Sequence, residues 1–182
     1  EIIASVVLSN ELQRNHIRSI ALTGAQAGFI TNDDFTQAKI KQINPKRIID
    51  EFKSHAVIVV AAFQGQTETG EITTIGRGGS DTTAASLGAA LQADRIEIFT
   101  DVNGVMTADP KVVESACPID TVTYTEICNL AYQGAKVIHP RAVEIAMQAK
   151  IPIRVRSTYA EDGGTLVTSS TDITDRLITG IS

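Results

Sequence analysis

A glycine-rich segment from Thr74 to Asp81, with the sequence TIGRGGSD, carries the residues best suited to bind an anion. With Thr73 before it, the segment reads TTIGRGGSD. Its glycines permit positive φ and close backbone approach, so that amide groups can face a ligand. Ser80 or Asp81 can cap the helix that follows, and the first amides of a helix attract negative charge. Arg77 adds a planar guanidinium that suits a carboxylate or a phosphate. The segment predicts an anion site, and an ordinary glycine-rich turn with a solvated arginine is the alternative.

A second segment, from Thr100 to Lys111, has the sequence TDVNGVMTADPK. Asp101 follows a predicted strand, and Asn103-Gly104 predicts a turn. About a dozen residues without regular structure are long for a connection in a compact α/β protein, which favours a binding function. The alternative is a plain connecting loop in which Asp109-Pro110 opens a turn.

A third segment runs from Gly134 to Pro140. Lys136 lies on a turn between two predicted helices, where its ammonium group can reach a phosphate as a point charge. A solvated lysine is the alternative interpretation. His139 is predicted to cap a helix, and no Ser/His/Asp or Cys/His set has the spacing of a nucleophilic triad.

The elements that must position these segments alternate between strands and helices. Hydrophobic periodicity predicts helices at 1–14, from 45, at 82–93, 125–132 and 140–149, and strands at 17–23, 29–31, 56–63, 71–75, 96–100, 153–156 and 166–167. This order predicts an α/β fold with a largely parallel sheet, in which ligands bind beyond the carboxyl ends of strands. The loops at 63–65, 76–81 and 101–111 follow strands, so we expect function there.

Three local features give further expectations. The first helix is predicted to be amphipathic, with the serines at 5 and 9 on its polar face and Ile2, Ile3, Val6 and Val7 on its apolar face. The run 56–63 is apolar and β-branched, which predicts a central strand covered on both faces. Ile48, Ile49 and Phe52 are predicted to form the buried stripe of a short helix, and residues 64–70 to form a loop.

Composition limits the class of protein. The chain has 182 residues, 43% of them hydrophobic, and a formal net charge of −5. This is enough for one domain with a sizeable core and excludes intrinsic disorder. The acidic balance argues against nucleic acid as a partner, and the longest apolar run is far shorter than a membrane span. Without a basic secretion signal, and with Cys117 and Cys128 predicted to be reduced, we expect a cytoplasmic protein.

The three segments, together with Ala62 to Gly65 (AFQG) and Thr123 to Glu126 (TYTE), resemble the aspartokinases of the amino acid kinase family. The resemblance extends over essentially the whole chain, and TTIGRGGSD with TDVNGVMTADP is close to diagnostic. It implies a three-layer α/β sandwich with a largely parallel central sheet. It also implies transfer of the γ-phosphoryl group of ATP, with Mg²⁺, to the side-chain carboxylate of L-aspartate, the entry step to lysine, threonine and methionine. The family further suggests a homo-oligomer.

The resemblance assigns roles to individual residues. Glu1 matches a glutamate that binds the amino group of aspartate, and Arg77 matches an arginine that binds its carboxylate, with Ser80 and Asp81 completing the site. Met106 stands where relatives often carry a tyrosine, and Lys111 stands where they usually carry an arginine. The residues that match nucleotide contacts are Thr100, Asp101, Met106, Lys111, Lys136 and Val137.

The resemblance also implies boundaries. Residues 1–168 match a catalytic domain that is incomplete at its N-terminus, and 169–182 match a linker toward an absent ACT-type regulatory domain. The strand and Lys-x-Gly-Gly loop that open the family precede Glu1, so we expect these 182 residues alone to be almost inactive. Two alternatives remain: a non-catalytic assembly or ligand-binding module, and a related kinase acting on glutamate, acetylglutamate, carbamate or a nucleoside monophosphate. Arg77 favours an amino acid with a free carboxylate.

Overall fold

The computed structural model describes residues 1–134, 137–160, 163–169 and 179–180. The chain divides into two compact units, Glu1–Thr83 and Ala84–Ser182. Within the described ranges, no helix combines the length and the apolar character that crossing a bilayer requires.

Helices and strands are mixed along the chain, as the sequence predicts, but the strands come in runs of two or three and two helices are consecutive. The first unit contains α1 Ile2–Arg14, β1 Ser19–Leu22, β2 Phe29–Thr31, β3 Ile40–Ile43, α2 Lys46–Glu51, β4 Val57–Val60, β5 Gln64–Gln66, β6 Ile72–Thr74 and the start of α3 Gly79–Leu91. After α3, the second unit contains β7 Ile96–Thr100, β8 Thr121–Thr123, α4 Tyr124–Gln133, α5 Pro140–Ala149, β9 Ile153–Ser157 and β10 Thr165–Thr168.

The strands of the first unit form two sheets. β1 and β4 pair in parallel. The other sheet has the order β3-β2-β5-β6, in which β2 and β5 are parallel and the outer pairs are antiparallel. β6 leads directly into the glycine-rich segment, so this sheet sets where that segment begins.

The described strands of the second unit form one sheet, in the order β7-β9-β10-β8. β7 pairs with β9 in parallel, β8 pairs with β10 in parallel, and β9 and β10 are antiparallel. One face of this sheet packs on a continuous apolar cluster with the helices. Its buried members are Ala85, Ile96, Val105, Ile119, Val122, Tyr124, Ile127, Ile138, Ala142, Val143, Ala146, Ile151, Ile153, Val155 and Val167.

The α/β class with parallel-rich strand pairing is confirmed. The described strands form three sheets, whereas the sequence predicted one central sheet. Hydrophobic periodicity did not predict β3 or β8, and it assigned residues 64–66 to a loop, where the structure has β5. β5 has the sequence Gln-Gly-Gln, which lacks the β-branched residues that mark strands, and it is held by backbone pairing to β2 and β6.

α1 is turned opposite to the usual arrangement of an amphipathic helix. Ser5 and Ser9 are buried, whereas the apolar side chains on the other face are 47–81% exposed, as at Ile2 and Ile3. The cause is specific hydrogen bonding: the Ser9 and Ser19 hydroxyl groups lie 3.0 Å apart, and the Ser19 hydroxyl donates to the Ser9 carbonyl at 2.7 Å. Small serine side chains also let the helix approach β1 closely.

Two other burial predictions are corrected. The residues of β4 are half-buried, and β4 pairs only with β1 among the described strands, so it is not a central strand covered on both faces. In α2, Ile48 is buried, but Ile49 and Phe52 are about half exposed at 52% and 50%. α2 has only 6 residues, which is too short to present a three-residue stripe to one surface.

Candidate functional site

The glycine-rich segment forms a tight turn that ends in the first turn of α3. The Gly79 amide donates to the Gly76 carbonyl at 3.0 Å, which closes the turn around Arg77. Gly76 and Gly78 on either side of Arg77 have φ of +83° and +71°. A side chain at either position would be strained, so the two glycines are what allow the backbone to expose Arg77 here.

Two threonines fix the end of this turn. The Thr82 hydroxyl donates to the Gly78 carbonyl at 2.8 Å, and the Thr83 hydroxyl donates to the Gly79 carbonyl at 2.7 Å. Both threonines are buried. The first turn of α3 is therefore held by side chains as well as by its backbone.

Phe63, between β4 and β5, contacts the same turn. Its φ is +69°, a left-handed conformation that bulky residues rarely adopt and that costs about 1–3 kcal/mol. Its amide donates to the Thr83 hydroxyl at 3.2 Å, and its carbonyl accepts from the Ile75 amide at 3.0 Å. A Cβ on Gly79 would lie 2.5 Å from the Phe63 ring, so the ring lies directly on the start of α3.

The structure brings three of the predicted substrate residues together in one turn, and the fourth lies at the start of α1. Arg77 and Ser80 are exposed and Asp81 is half-buried, all within one turn. Glu1 is exposed at the N-terminus of α1 and makes no side-chain capping bond. Among the described ion pairs of the chain, none joins Glu1 to Arg77.

The second candidate region begins where β7 ends. The Thr100 hydroxyl donates to the Asp101 carboxylate at 3.1 Å, and the Thr100 carbonyl accepts from the Thr158 amide at 2.8 Å. Asp101 itself is exposed. The strand end therefore presents a carboxylate to solvent from a fixed backbone.

The long loop after Asp101 is ordered by its own hydrogen bonds. The Ile119 amide donates to the Val105 carbonyl at 2.8 Å, and the Thr107 amide donates to the Cys117 carbonyl at 2.9 Å. The Cys117 amide in turn donates to the Thr107 hydroxyl at 3.0 Å. The loop doubles back on itself, so the residues between are held as a projecting turn.

Thr165 anchors the base of this loop. Its buried hydroxyl accepts from the Val105 amide at 2.8 Å and donates to the Ile119 carbonyl at 2.6 Å. Gly104 has φ of +98°, and a Cβ there would lie 2.5 Å from the same hydroxyl oxygen. Only glycine fits at this point of the loop.

The remaining predicted nucleotide residues have different environments. Met106 is half-buried, and its backbone forms an isolated antiparallel β-bridge with Pro118. Lys111 is exposed, and its amide donates to the Asp109 carboxylate at 2.9 Å. Val137 is half-buried, whereas Lys136 lies outside the described residues.

The raised pKa values of two side chains in the second unit favour their neutral forms. Burial, together with the charge of Glu144, raises the pKa of the Cys128 thiol, which favours its neutral form. The hydrogen bond to Glu144 raises the pKa of Tyr132. His139 caps α5 as predicted, accepting from the Arg141 amide. Within the described ranges, no group of three or more His, Cys, Asp or Glu residues could hold a metal ion.

These features belong to a known class of protein. A sequence model of the amino acid kinase family matches residues 2–157, so the chain belongs to the amino acid kinase family. It is 64% identical to aspartokinase 1 of Bacillus subtilis, a match that covers 100% of this chain and 46% of the relative. It is 44% identical to the aspartokinase of Geobacillus stearothermophilus, covering 98% of this chain and 44% of that protein. The chain thus spans less than half the length of these curated relatives.

Solved structures agree with the fold. E. coli aspartokinase III in complex with aspartate and ADP superposes with a TM-score of 0.87 at 34% identity, over 94% of this chain and 39% of that chain. The UMP kinase from Bacillus anthracis shares the fold with a TM-score of 0.65 at 17% identity, over 93% of this chain and 66% of that chain.

Sequence reasoning missed the residues that hold the two regions in place. Phe63, Thr83 and Thr165 act through backbone groups that are far apart in sequence, and no local pattern predicts such bonds. One signal was available: a glycine after a predicted strand, as at Gly104, often marks close backbone approach.

Proposed function

We propose that the protein is an aspartate kinase, which transfers the γ-phosphoryl group of ATP to the side-chain carboxylate of L-aspartate and gives 4-phospho-L-aspartate. The observation that carries this proposal is the turn at 76–79, which holds an exposed arginine between two positive-φ glycines at the start of α3. The 64% identity to an aspartokinase over the whole chain supports it.

The proposed reaction needs neither a protein nucleophile nor a general base. A carboxylate with a pKa of about 3.9 is already ionised at neutral pH, so no proton must leave it. One carboxylate oxygen forms a bond to the γ-phosphorus, the bond from that phosphorus to the bridging oxygen breaks, and ADP leaves. The protein must then supply position and charge, which is what phosphoryl transfer needs.

The first unit, in this proposal, binds the acceptor. Arg77 pairs with the α-carboxylate of aspartate, because a guanidinium can donate two parallel hydrogen bonds to a carboxylate. Ser80 and Asp81 complete the site, and Glu1 pairs with the amino group. The E. coli enzyme whose fold this chain shares was solved with aspartate bound, which supports an aspartate site.

The second unit, in this proposal, binds the nucleotide. At the carboxyl end of β7, where α/β folds bind ligands, the Asp101 carboxylate accepts hydrogen bonds from the nucleotide and the Thr100 hydroxyl can donate or accept one. Met106, Lys111, Lys136 and Val137 supply further contacts. Mg²⁺ is proposed to arrive on the ATP phosphates, since Mg²⁺ usually binds through phosphates and one or two carboxylates, and the described residues hold no larger acidic group.

The direct test is turnover of aspartate by the complete protein that contains these residues. ADP release is measured with Mg²⁺ and ATP, and hydroxylamine traps the product, because acyl phosphates form hydroxamates and phosphate esters do not. We expect aspartate-dependent ADP release with matching hydroxamate. Equal or faster release with glutamate, acetylglutamate or UMP would instead identify a related kinase of the family.

We also propose that residues 1–182 alone transfer little phosphate, with 1–168 forming part of a catalytic domain and 169–182 a linker to a regulatory domain. Most of the proposed linker lies outside the described residues. The reason for the low activity is that removing even one preorganised hydrogen-bond donor to the transferring phosphoryl group, such as those of the family's Lys-x-Gly-Gly loop, lowers the rate by about 10²–10³. ADP release by this chain within tenfold of a full-length aspartokinase would contradict this proposal.

We further propose that the protein is cytoplasmic and forms a homo-oligomer. Size-exclusion chromatography with light scattering tests the oligomeric state.

A further inference from the structure

We propose that Phe63, acting with Thr83, is a positioning residue that fixes Arg77 for the substrate carboxylate. This inference rests on the proposed function. The family resemblance assigns no role to either residue. Both lie in the first unit with Arg77, so every contact used here is internal to that unit.

The two ends of the arginine turn are both tied to Phe63. Before the turn, the Ile75 amide donates to the Phe63 carbonyl at 3.0 Å. After the turn, the Thr83 hydroxyl accepts from the Phe63 amide at 3.2 Å and donates to the Gly79 carbonyl at 2.7 Å. The backbone on both sides of Arg77 is thus hydrogen-bonded to Phe63, directly at Ile75 and through Thr83 at Gly79.

The Phe63 ring adds a third contact at the end of the turn. A Cβ added to Gly79 would have three atoms of this ring as its nearest neighbours, at 2.5, 3.1 and 3.3 Å. Gly79 does not have a positive φ, so its backbone conformation is open to alanine. The ring alone is therefore what requires glycine at this position.

The strained backbone of Phe63 is explained by these contacts. A bulky residue at φ of +69° persists only where its surroundings hold it. Here the carbonyl is bonded to the residue before the turn that carries Arg77, the amide is bonded to a residue after it, and the ring lies on Gly79 at its end. The strain is located at the one residue that contacts both ends of the turn. We call Phe63 and Thr83, with their contacts to the turn, the clamp.

The clamp predicts a selective kinetic effect in the complete protein. Phe63→Ala should raise the KM for aspartate about tenfold or more and leave the KM for ATP within twofold, because a small displacement of a positioning group is costly. A residue that only supports folding would instead reduce the active fraction, and both KM values would stay the same.

Thr83 offers a matched pair of variants. Thr83→Val removes the hydroxyl bridge at nearly constant shape and should raise the KM for aspartate at least about tenfold, because both hydrogen bonds of that hydroxyl group are lost. Thr83→Ser keeps the hydroxyl and should restore the wild-type value. Thr82→Val is the comparison variant, because the Thr82 hydroxyl makes the same kind of bond to Gly78 but none to Phe63, so we expect a smaller rise in the KM for aspartate. Equal effects of Thr82→Val and Thr83→Val would overturn the clamp.

A double-mutant cycle isolates the ring. Gly79→Ala alone should displace the ring and raise the KM for aspartate about tenfold. In the Phe63→Ala background the methyl group has space, so Gly79→Ala should add less than about twofold. Independent, multiplying effects of the two substitutions would contradict the proposed contact.

The deciding experiment separates this inference from the proposed function. Hydrogen exchange is measured on a peptide covering residues 75–80 in wild type, Phe63→Ala and Thr82→Val, without substrate. We expect at least about tenfold faster exchange in Phe63→Ala and a smaller increase in Thr82→Val. Unchanged exchange overturns the clamp whatever the enzyme acts on, whereas a wild type that does not phosphorylate aspartate overturns the proposed function and leaves the exchange result to judge the clamp.

Discussion

The first unit, Glu1–Thr83, buries serine hydroxyl groups where α1 packs on β1, whereas the second unit, Ala84–Ser182, buries a continuous cluster of apolar side chains. In the first unit, α1 meets β1 through Ser9 and Ser19, and the apolar face of α1 is exposed. In the second unit, β7, β9, β10 and β8 cover apolar side chains that are almost fully buried, such as Ile153 and Val155. Hydrophobic periodicity therefore locates the core correctly in the second unit and misleads at α1 of the first.

The two candidate regions show the same contrast. The arginine turn is fixed by hydrogen bonds from threonine hydroxyl groups and from the strained backbone of Phe63. The loop after Asp101 is anchored to the apolar cluster, because Val105 and Ile119 belong to it and Thr165 joins their backbones. Substitutions should consequently perturb the first unit through polar contacts and the second through packing.

The largest effect is expected for the same substitution made once in each unit. Ile153→Ala removes a fully buried side chain and should lower the free energy of unfolding by about 4 kcal/mol. Ile3→Ala is the matched control, because Ile3 is 81% exposed, and it should cost less than about 0.5 kcal/mol. Chemical denaturation measures both. Equal costs would mean that the exposed face of α1 is covered in the complete protein.

The next effect concerns the acceptor. Arg77→Ala should raise the KM for aspartate about 100-fold and leave the KM for ATP nearly unchanged, because it leaves the substrate carboxylate without its partner. Arg77→Lys keeps the charge but loses the bidentate geometry, so its KM should fall between those of wild type and alanine. Steady-state kinetics with each substrate varied in turn decides it. Equal weakening of both substrates would count against the assignment of Arg77.

A smaller effect is expected at the nucleotide. Asp101→Ala should weaken ATP binding about tenfold, the value of one charged hydrogen bond, with aspartate binding retained. Asp94→Ala is the control, because Asp94 is an exposed carboxylate just before the other end of β7. Titration calorimetry with ADP measures both variants. If the two lose ADP affinity equally, Asp101 has no specific contact with the nucleotide.

The polar contact of α1 should contribute less still. Ser9→Ala removes one buried hydrogen bond to Ser19 and should lower the free energy of unfolding by about 1 kcal/mol. Ser115→Ala, at an exposed serine of the second unit, should change it by less than about 0.5 kcal/mol. A Ser9→Ala variant as stable as wild type would show that the buried serines do not hold α1.

The smallest effect is a difference in cysteine reactivity within the second unit. Burial and the charge of Glu144 raise the pKa of Cys128, so at pH 8 less of it is thiolate and alkylation should be slow. Its rate should rise as the pH passes through that raised pKa. Cys117 is exposed and should react first. Mass spectrometry after timed iodoacetamide treatment follows both, and faster labelling of Cys128 would mean that the packing around it opens.

Sequence alone could predict the elements whose signal is local. β7 and α5 have the predicted bounds, because alternation in the strand and Pro140 at the helix start are strong local signals. α4 begins one residue earlier than predicted, at a capping box formed by Thr123 and Glu126, which the spacing T-x-x-E could have revealed.

What could not be predicted depends on contacts between distant residues. The serine face of α1 is buried because it is hydrogen-bonded to Ser19 of β1. The strand β5 forms because β2 and β6 pair with it. The arginine turn was found from its glycines, but its dependence on Phe63 was not, since a left-handed phenylalanine has no local sequence signal. Local patterns thus locate the candidate site, and tertiary hydrogen bonds determine its geometry.

The central claim is that the acceptor binds the first unit and the nucleotide binds the second. Hydrogen exchange of the complete protein, measured with aspartate alone and with ADP and Mg²⁺ alone, tests it without any substitution. We predict that aspartate slows exchange at residues 75–83 and that ADP slows exchange at residues 100–112. Protection of one and the same segment by both ligands, or protection of neither segment, would contradict the account.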